Sequence, residues 1–149
     1  MSGPGPDPYA PSDDELRSIL GDAKTIAVVG LSSKPDRYSH EVAAFLQDKG
    51  YRIVPVNPRE TEVLGERAYP SLTDVPADVA IDVVDVFRRA EDTLPIAEQA
   101  VARGAKVLWL QDGIVNDDAR TIAEAGGLTV VMGVCLKRTA RRLEASGPE

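Results

Sequence analysis

Three short apolar runs of this chain each end in residues suited to holding an anion. "TIAVV" (25–29) is followed by "GLSSKPDRYS" (30–39), "IVPV" (53–56) by "NPRE" (57–60), and "VVDV" (83–86) by "FRR" (87–89). Lys34, Arg37, Arg59, Arg88 and Arg89 therefore gather just past three strand-like runs in a protein of formal net charge −7. Charge-assisted hydrogen bonds to phosphate are roughly twice as strong as neutral ones, so this clustering points to a polyanionic ligand. Ser32 and Ser33 add hydroxyl donors to the first loop. Other chemistry is sparse. His40, the one histidine, has no identifiable carboxylate partner to make it a general base, although it is placed to donate to a phosphate. Cys135 is the one cysteine, so no internal disulfide forms and the usual Cys/His zinc spacings cannot be built; its expected place is a small buried hydrophobe.

The elements that position these residues follow from periodicity. Residues 1–11, with four prolines and two glycines, read as a disordered tail, and Ser12 with Glu15 forms a capping box for a short helix over 13–20. From Thr25 onward, apolar β-branched runs alternate with helical patterns. "TIAVVG" is a strand covered on both faces; Val42, Phe45 and Leu46 mark a helix from about Ser39 to Gly50; "YRIVPVN" is a second strand. The stretch 58–72 reads as a connection ending in a turn near Leu72, before "VAIDVVDV" as a third strand. Ile96, Ala97, Ala100 and Val101 mark a helix closed by Gly104, begun either at a Thr93 cap or earlier with a kink at Pro95. "AKVLWLQ", a helix over 117–125 capped by Asn116, "LTVVM" and the basic helix "LKRTARRLEA" complete the series. Five strands with intervening helices imply an α/β fold: a single Rossmann-like doubly wound domain over 12–145, a five-stranded, mainly parallel sheet with helices on both faces.

In such folds ligands bind outside the carboxyl ends of the strands, which is where the cations lie. Of the three glycines of a dinucleotide fingerprint only Gly30 is present, and Pro35 makes a very short turn into the helix unfavourable. The expectation is a longer phosphate loop that still aims helix N-terminal N–H groups at its ligand. No G-x-x-x-x-G-K-S/T motif occurs, which excludes a P-loop. At the end of the second strand, where an NAD site carries an acidic residue for the ribose, Arg59 suits a ribose phosphate, as in NADP or in the 3′-phosphate of coenzyme A. Asp82 and Asp85 interrupt an apolar run and need partners if buried. Asp82 is expected to meet a backbone or basic group, and Asp85 to orient the loop or a ribose hydroxyl. The acidic balance argues against nucleic acid or anionic membranes as general partners, no apolar run approaches the ~20 residues of a membrane span, and no secretory leader is evident; the expected location is cytoplasmic. The basic residues Lys137, Arg138, Arg141 and Arg142 read as a solvated helix rather than an RNA stripe.

Taken as a set, "VVGLSSKPDRYSHEVAAFLQDKGYRIVPVNP", "VLGERAYPSL", "IDVVDVFRR" and "AKVLWLQDGIVN" resemble the small stand-alone CoA-binding proteins. Their domain is similar to the N-terminal, CoA-binding domain of the succinyl-CoA synthetase alpha subunit. The resemblance covers residues 14–143. It implies coenzyme A as cofactor, with Gly30, Leu31, Ser32, Ser33, Lys34, Pro35, Arg37 and Ser39 around the phosphates, and Asn57, Pro58 and Arg59 near ribose and adenine. Val86, Phe87 and Arg88 would lie along the nucleotide, with Val86 and Phe87 as apolar walls for the base. Ligase activity does not carry over, because the synthetase's phosphohistidine lies in a second domain that these residues do not match. The expected function is binding of coenzyme A or an acyl-CoA without catalytic chemistry; the alternative is an NADP-binding oxidoreductase or a redox-sensing regulatory subunit. Gln111 and Asn116 are placed either against the pantetheine arm or as a turn and helix cap. Cys135, if exposed and deprotonated, suits a mixed disulfide with the CoA thiol.

Overall fold

The structure is a computed structural model and describes residues 11–146. In chain order it contains α1 (Asp13–Asp22), β1 (Thr25–Val29), α2 (Tyr38–Asp48), β2 (Arg52–Val56), β3 (Glu62–Val63) and β4 (Glu66–Arg67). These are followed by β5 (Val83–Val86), α3 (Thr93–Ala102), β6 (Val107–Asp112), α4 (Asp117–Ala125), β7 (Thr129–Gly133) and α5 (Leu136–Ser146). The tail expected over 1–11 lies, apart from Pro11, outside the described residues.

β-branched and apolar residues make the five long strands, which pair in parallel in the order β2-β1-β5-β6-β7. Side chains alternate across the sheet, so each strand feeds two cores. Ala27, Val29, Val84, Val86, Leu108 and Leu110 face one cluster, completed by Ile96, Ala97 and Ala100 of α3 and Ala119 and Ala123 of α4. Ile26, Val28, Val83, Trp109 and Val131 face the other, under Leu16 of α1, Val42 and Leu46 of α2, and Leu136 and Leu143 of α5. Each fully buried Leu or Ile contributes about 1.5–3 kcal/mol, which makes the two layers the main source of stability. This is the Rossmann-like, doubly wound α/β arrangement. Connections from β1 to β2 and from β5 onward run in opposite directions along the sheet, so strand order reverses between β1 and β5. That switch point is where a ligand crevice forms in this class of fold.

Several elements differ from the sequence reading. Stretch 58–72 is not a plain connection: β3 and β4 pair antiparallel around Leu64 and Gly65, both at positive φ (55° and 78°), the geometry of a tight hairpin turn. The third long strand is confined to Val83–Val86, because the chain is still turning at Val79, whose N–H donates to Pro76 O at 3.0 Å. Helix α3 starts at Thr93 with Asp92 as N-cap, and Pro95 falls in its first turn, where its missing N–H costs nothing. Thr93 is not the cap; its hydroxyl donates to Ala90 O at 2.7 Å. Asp82 does meet the expected partners, accepting from Lys24 N–H (2.9 Å) and Thr25 N–H (3.0 Å) beside Lys106 (3.5 Å). Burial pushes its carboxyl up, but these bonds and the Lys106 charge outweigh that and hold it below its ordinary value.

Candidate functional site

The carboxyl end of β1 turns at Gly30, whose φ of 89° lies in the left-handed region. A Cβ there would stand 2.5 Å from the Phe87 carbonyl oxygen, so glycine is required by conformation and by the close approach of the chain leaving β5. The junction is tied across three strands: Gly30 N–H donates to Val56 O at 2.7 Å and Phe87 N–H to Val29 O at 2.8 Å. Beyond it the loop is held from within. Leu31 is fully buried and its carbonyl accepts from Asn57 Nδ2 at 3.0 Å; Ser32 N–H donates to Ser39 Oγ and Lys34 N–H to Ser32 Oγ, both at 3.1 Å. Arg37 N–H donates to Lys34 O at 3.0 Å, closing a turn that delivers the chain to α2.

Helix α2 has Arg37 as N-cap, and no side-chain capping bond is made there. By contrast, Ser12 caps α1 and Asn116 caps α4 through their side chains. The first-turn N–H groups of α2 and the positive end of its dipole thus face the loop without a carboxylate or hydroxyl cap from Arg37, which suits an anion. Lys34, Arg37, Arg59 and Arg88 are exposed and enter no ion pair among the described residues, whereas Arg89 pairs with Glu91 (3.7 Å) and Asp92 (3.3 Å). One carboxylate already uses part of the loop. Ser33 gives its N–H and its hydroxyl to the same oxygen of Glu60, each at 3.0 Å. The Ser33 N–H, then its hydroxyl, then the Lys34 charge hold the Glu60 carboxyl below its ordinary range.

At the end of β2, Asn57 is structural: besides gripping Leu31 it accepts Arg59 N–H on Oδ1 at 2.9 Å, and this turn presents Pro58 and Arg59 outward. Between the ends of β1 and β2 and helix α3 lies a cavity of about 190 Å³, with Val56, Pro58, Pro70, Leu72, Arg88 and Ile96 among its walls. That is smaller than a pocket for a whole drug-sized ligand, roughly 300–1,000 Å³, and fits one end of an elongated one. Arg103 from α3 fixes its outer wall, donating to the carbonyls of Leu72 (2.7 Å), Val75 (2.6 Å), Pro76 (3.0 Å) and Val79 (3.2 Å). Other cavities, about 190 Å³ beside Asp82 and Lys106 and about 360 Å³ between α1, α2 and α5, lie away from the carboxyl ends of the strands.

A second polar cluster occupies the ends of β6 and β7. Cys135 precedes α5; its carbonyl accepts Thr139 N–H at 2.9 Å and its sulfur accepts Arg138 N–H at 3.5 Å. Trp109 Nε1 holds the adjacent Val134 carbonyl at 2.9 Å. The Tyr38 hydroxyl lies 3.4 Å from the Arg138 guanidinium, which also pairs with Asp112. Burial pushes the Cys135 thiol up, but Tyr38, the Arg138 N–H and guanidinium, and the Gln111 amide together outweigh it and set the thiol below its ordinary value. Gln111 Oε1 accepts Leu136 N–H at 3.1 Å, while its Nε2 approaches the sulfur without finding a full hydrogen-bond partner. Asp85 is wholly buried, and neither carboxyl oxygen has a hydrogen-bond partner. Burial first, then the charge on Cys135, pushes the Asp85 carboxyl well above its ordinary value.

The structure thus brings the loops after β1, β2 and β5 side by side, Gly30 against Phe87 and Arg88 and Ser33 against Glu60, with Pro58 and Arg88 on the cavity wall. It separates others from the roles expected of them. Ser39, 6% exposed, supports the loop through Ser32. Val86 lies in the core and Phe87 packs on the opposite side of the sheet, its ring 5.8 Å from that of Tyr38, so neither walls the cavity. Asp85 does not orient the loop or a ribose, because its side chain points into the α2/α5 layer and meets no donor. Asn116 is a helix cap, accepting Ala119 N–H at 3.0 Å. Glu60, Tyr38 and Pro70 were not singled out in the sequence, and Leu72 and Ile96 were read there only as a turn and a helix face, not as walls of the cavity.

The fold defines a class, the Rossmann-like doubly wound domain. Within that class the chain belongs to the CoA-binding domain family, whose model matches residues 24–141. It is 46% identical over 127 residues to the uncharacterized protein YneT of Bacillus subtilis, covering 85% of this chain and 93% of that protein. A solved hypothetical protein from Pyrococcus horikoshii superposes with a TM-score of 0.90 at 40% identity, covering 97% and 99% of the two chains. The ADP-forming acetate-CoA ligase II subunit alpha of Pyrococcus furiosus is 39% identical over 97 residues, which is 64% of this chain but 21% of that subunit. Among the described residues no helix is long and apolar enough to cross a membrane, and no group of three or more His, Cys, Asp or Glu is placed to hold a metal.

Proposed function

We propose that the protein binds coenzyme A, or an acyl-CoA, in the crevice at the β1/β5 switch point, as a binding module without acyl chemistry of its own. The observation that carries this reading is the α2 N-terminus, left without a side-chain cap behind a loop of hydroxyls and unpaired cations, in a chain of the CoA-binding family. In this reading the diphosphate lies over residues 30–37 and the first turn of α2. Arg59 takes the ribose 3′-phosphate, and the base enters the cavity walled by Val56, Pro58, Leu72 and Ile96. The pantetheine arm crosses the ends of β5 and β6.

Parallel calorimetric titrations with CoA, dephospho-CoA, NADP and NAD in the same buffer test this, salt being held constant because phosphate contacts are screened. CoA is expected to bind tightest, and tighter binding of NADP would overturn the reading. A hydrogen bond to a charged group is worth about 1.5–3 kcal/mol, so Arg59→Ala is expected to weaken CoA about ten- to a hundredfold. It should leave dephospho-CoA nearly unchanged; equal losses for both ligands would remove Arg59 from the 3′-phosphate.

A further inference from the structure

Helix α3 presents one face to the cavity beside the phosphate loop. Asp92, its N-cap, Ile96 and Gln99 follow one another at spacings of four and three residues, so they share a face of the helix, and all three line the cavity. Ile96 extends an apolar floor made by Val29, Val56 and Leu72 of the same buried cluster. The polar groups around that floor are rich in acceptors. Asp92 makes no capping bond to α3, and a single bond from Arg89 Nε, at 3.3 Å to one oxygen, leaves its carboxylate with acceptor capacity. The Ser71 hydroxyl gives its proton to Asp74 at 2.9 Å, so toward the cavity its oxygen is an acceptor. Gln99 is held by its main chain, whose carbonyl accepts Arg103 N–H at 2.9 Å, while its amide makes no hydrogen bond among the described residues. Arg88, the cation on the wall, is aimed elsewhere: a Cβ at Gly30 would stand 3.2 Å from its Cδ, so its stem runs on the side of the phosphate loop.

We propose that Asp92, with Gln99 and Ser71, makes this cavity selective for a base that carries an exocyclic amine, adenine rather than hypoxanthine or guanine; this rests on the crevice binding CoA with its base in the cavity. Adenine offers the two hydrogens of its 6-amine beside ring-nitrogen acceptors, whereas a 6-keto base puts a carbonyl oxygen in the same place. The Asp92 carboxylate accepts from the amine and has nothing to give a carbonyl. The Gln99 amide matches adenine in the bidentate manner, its oxygen accepting from the amine and its nitrogen donating to the adjacent ring nitrogen. Gln99 alone would not choose, because an amide can turn to donate to a carbonyl instead; the acceptors beside it fix the choice. A keto base therefore loses a bond and meets the Asp92 charge with its own oxygen, so discrimination has a repulsive as well as an attractive part.

The full chain is titrated by calorimetry with adenosine 3′,5′-bisphosphate and with inosine 3′,5′-bisphosphate, which carry the same phosphates on adenine and on hypoxanthine, and with CoA alongside. The adenosine ligand is expected to bind at least about tenfold tighter than the inosine ligand, the size of one hydrogen bond to a charged group. Asp92→Asn keeps the shape, removes no capping bond from α3 and adds a donor. It should weaken the adenosine ligand and tighten the inosine ligand, shrinking their ratio several-fold. Gln99→Leu, similar in size but without the amide, should weaken the adenosine ligand more than the inosine ligand. Equal affinities in the parent, a preference for the inosine ligand, or variants that weaken both ligands equally overturn the proposal. If CoA still binds in those cases, the binding reading stands without it; if CoA fails to bind as well, both fall.

Discussion

Ser33 gives both of its polar hydrogens to Glu60, so a ligand phosphate at this point of the loop competes with an internal carboxylate. The sign of that competition is testable. Glu60→Gln removes the charge and weakens the grip on Ser33, and is expected to tighten CoA binding several-fold by calorimetry. A loss of affinity would mean that Glu60 orders the loop for its ligand rather than opposing it. The carboxylate is exposed and part of its effect is screened by salt, so the gain should be larger at low ionic strength. Gly30 is a residue of the other kind, already dictated by the main chain of Phe87.

Elements are tied at their ends as much as through their faces. Asn116 caps α4 by accepting Ala119 N–H, and its Nδ2 donates to Ala90 O at 2.9 Å, joining the start of α4 to the turn before α3. Asn116→Ala removes both bonds and is expected to cost about 1–2 kcal/mol in urea denaturation. Asn116→Asp keeps the cap and loses only the bond to Ala90, so it should recover more than half of that loss; no recovery would show that the link to Ala90 dominates. Helix α5 is fastened by charges as well as by the Gln111 and Cys135 bonds at its start, with Lys137 on Glu41 at 2.9 Å and Arg142 on Asp13 at 3.0 Å. This accounts for a basic helix in an acidic protein without invoking RNA.

At the scale of the whole molecule, Asp85 couples stability to pH. Its folded carboxyl titrates far above its unfolded value of about 3.9, so as pH rises the unfolded chain sheds a proton that the folded protein keeps. Stability therefore falls from about pH 4 upward, by as much as about 1.4 kcal/mol per pH unit until the folded carboxyl ionises. The carboxylates of Glu60 and Asp82 act in the opposite sense, their contributions being lost as pH falls below about 4 through their lowered values. Asp85→Asn removes the first effect and spares the other two. Urea denaturation at pH 5 and pH 8 should show the variant gaining on the parent as pH rises; a gap that is constant or shrinks would contradict a protonated Asp85.

Local physics made much of this protein legible in one dimension. Apolar β-branched runs, 3.6-residue periodicity and the Ser12 and Asn116 caps act between residues a few positions apart, so the strands, helices and doubly wound class follow from the chain. The positions of Gly30, Lys34, Arg37, Arg59 and Arg88 follow too, because strand ends are neighbours in sequence of the strands themselves. What those loops meet depends on the order β2-β1-β5-β6-β7 and on how the chain folds back between strands. Residues 58–72 return along β2 to wall the cavity beside Ile96, with a hairpin whose turn rests on Leu64 adopting a conformation that composition does not announce. Glu60 reaches Ser33 across 27 residues, Arg138 reaches Tyr38 across 100, and Asp85 is stranded beneath Cys135. Those encounters set the surroundings of the charges and of the thiol. They belong to tertiary structure because burial and hydrogen bonding between distant segments are set by packing, which no local pattern encodes.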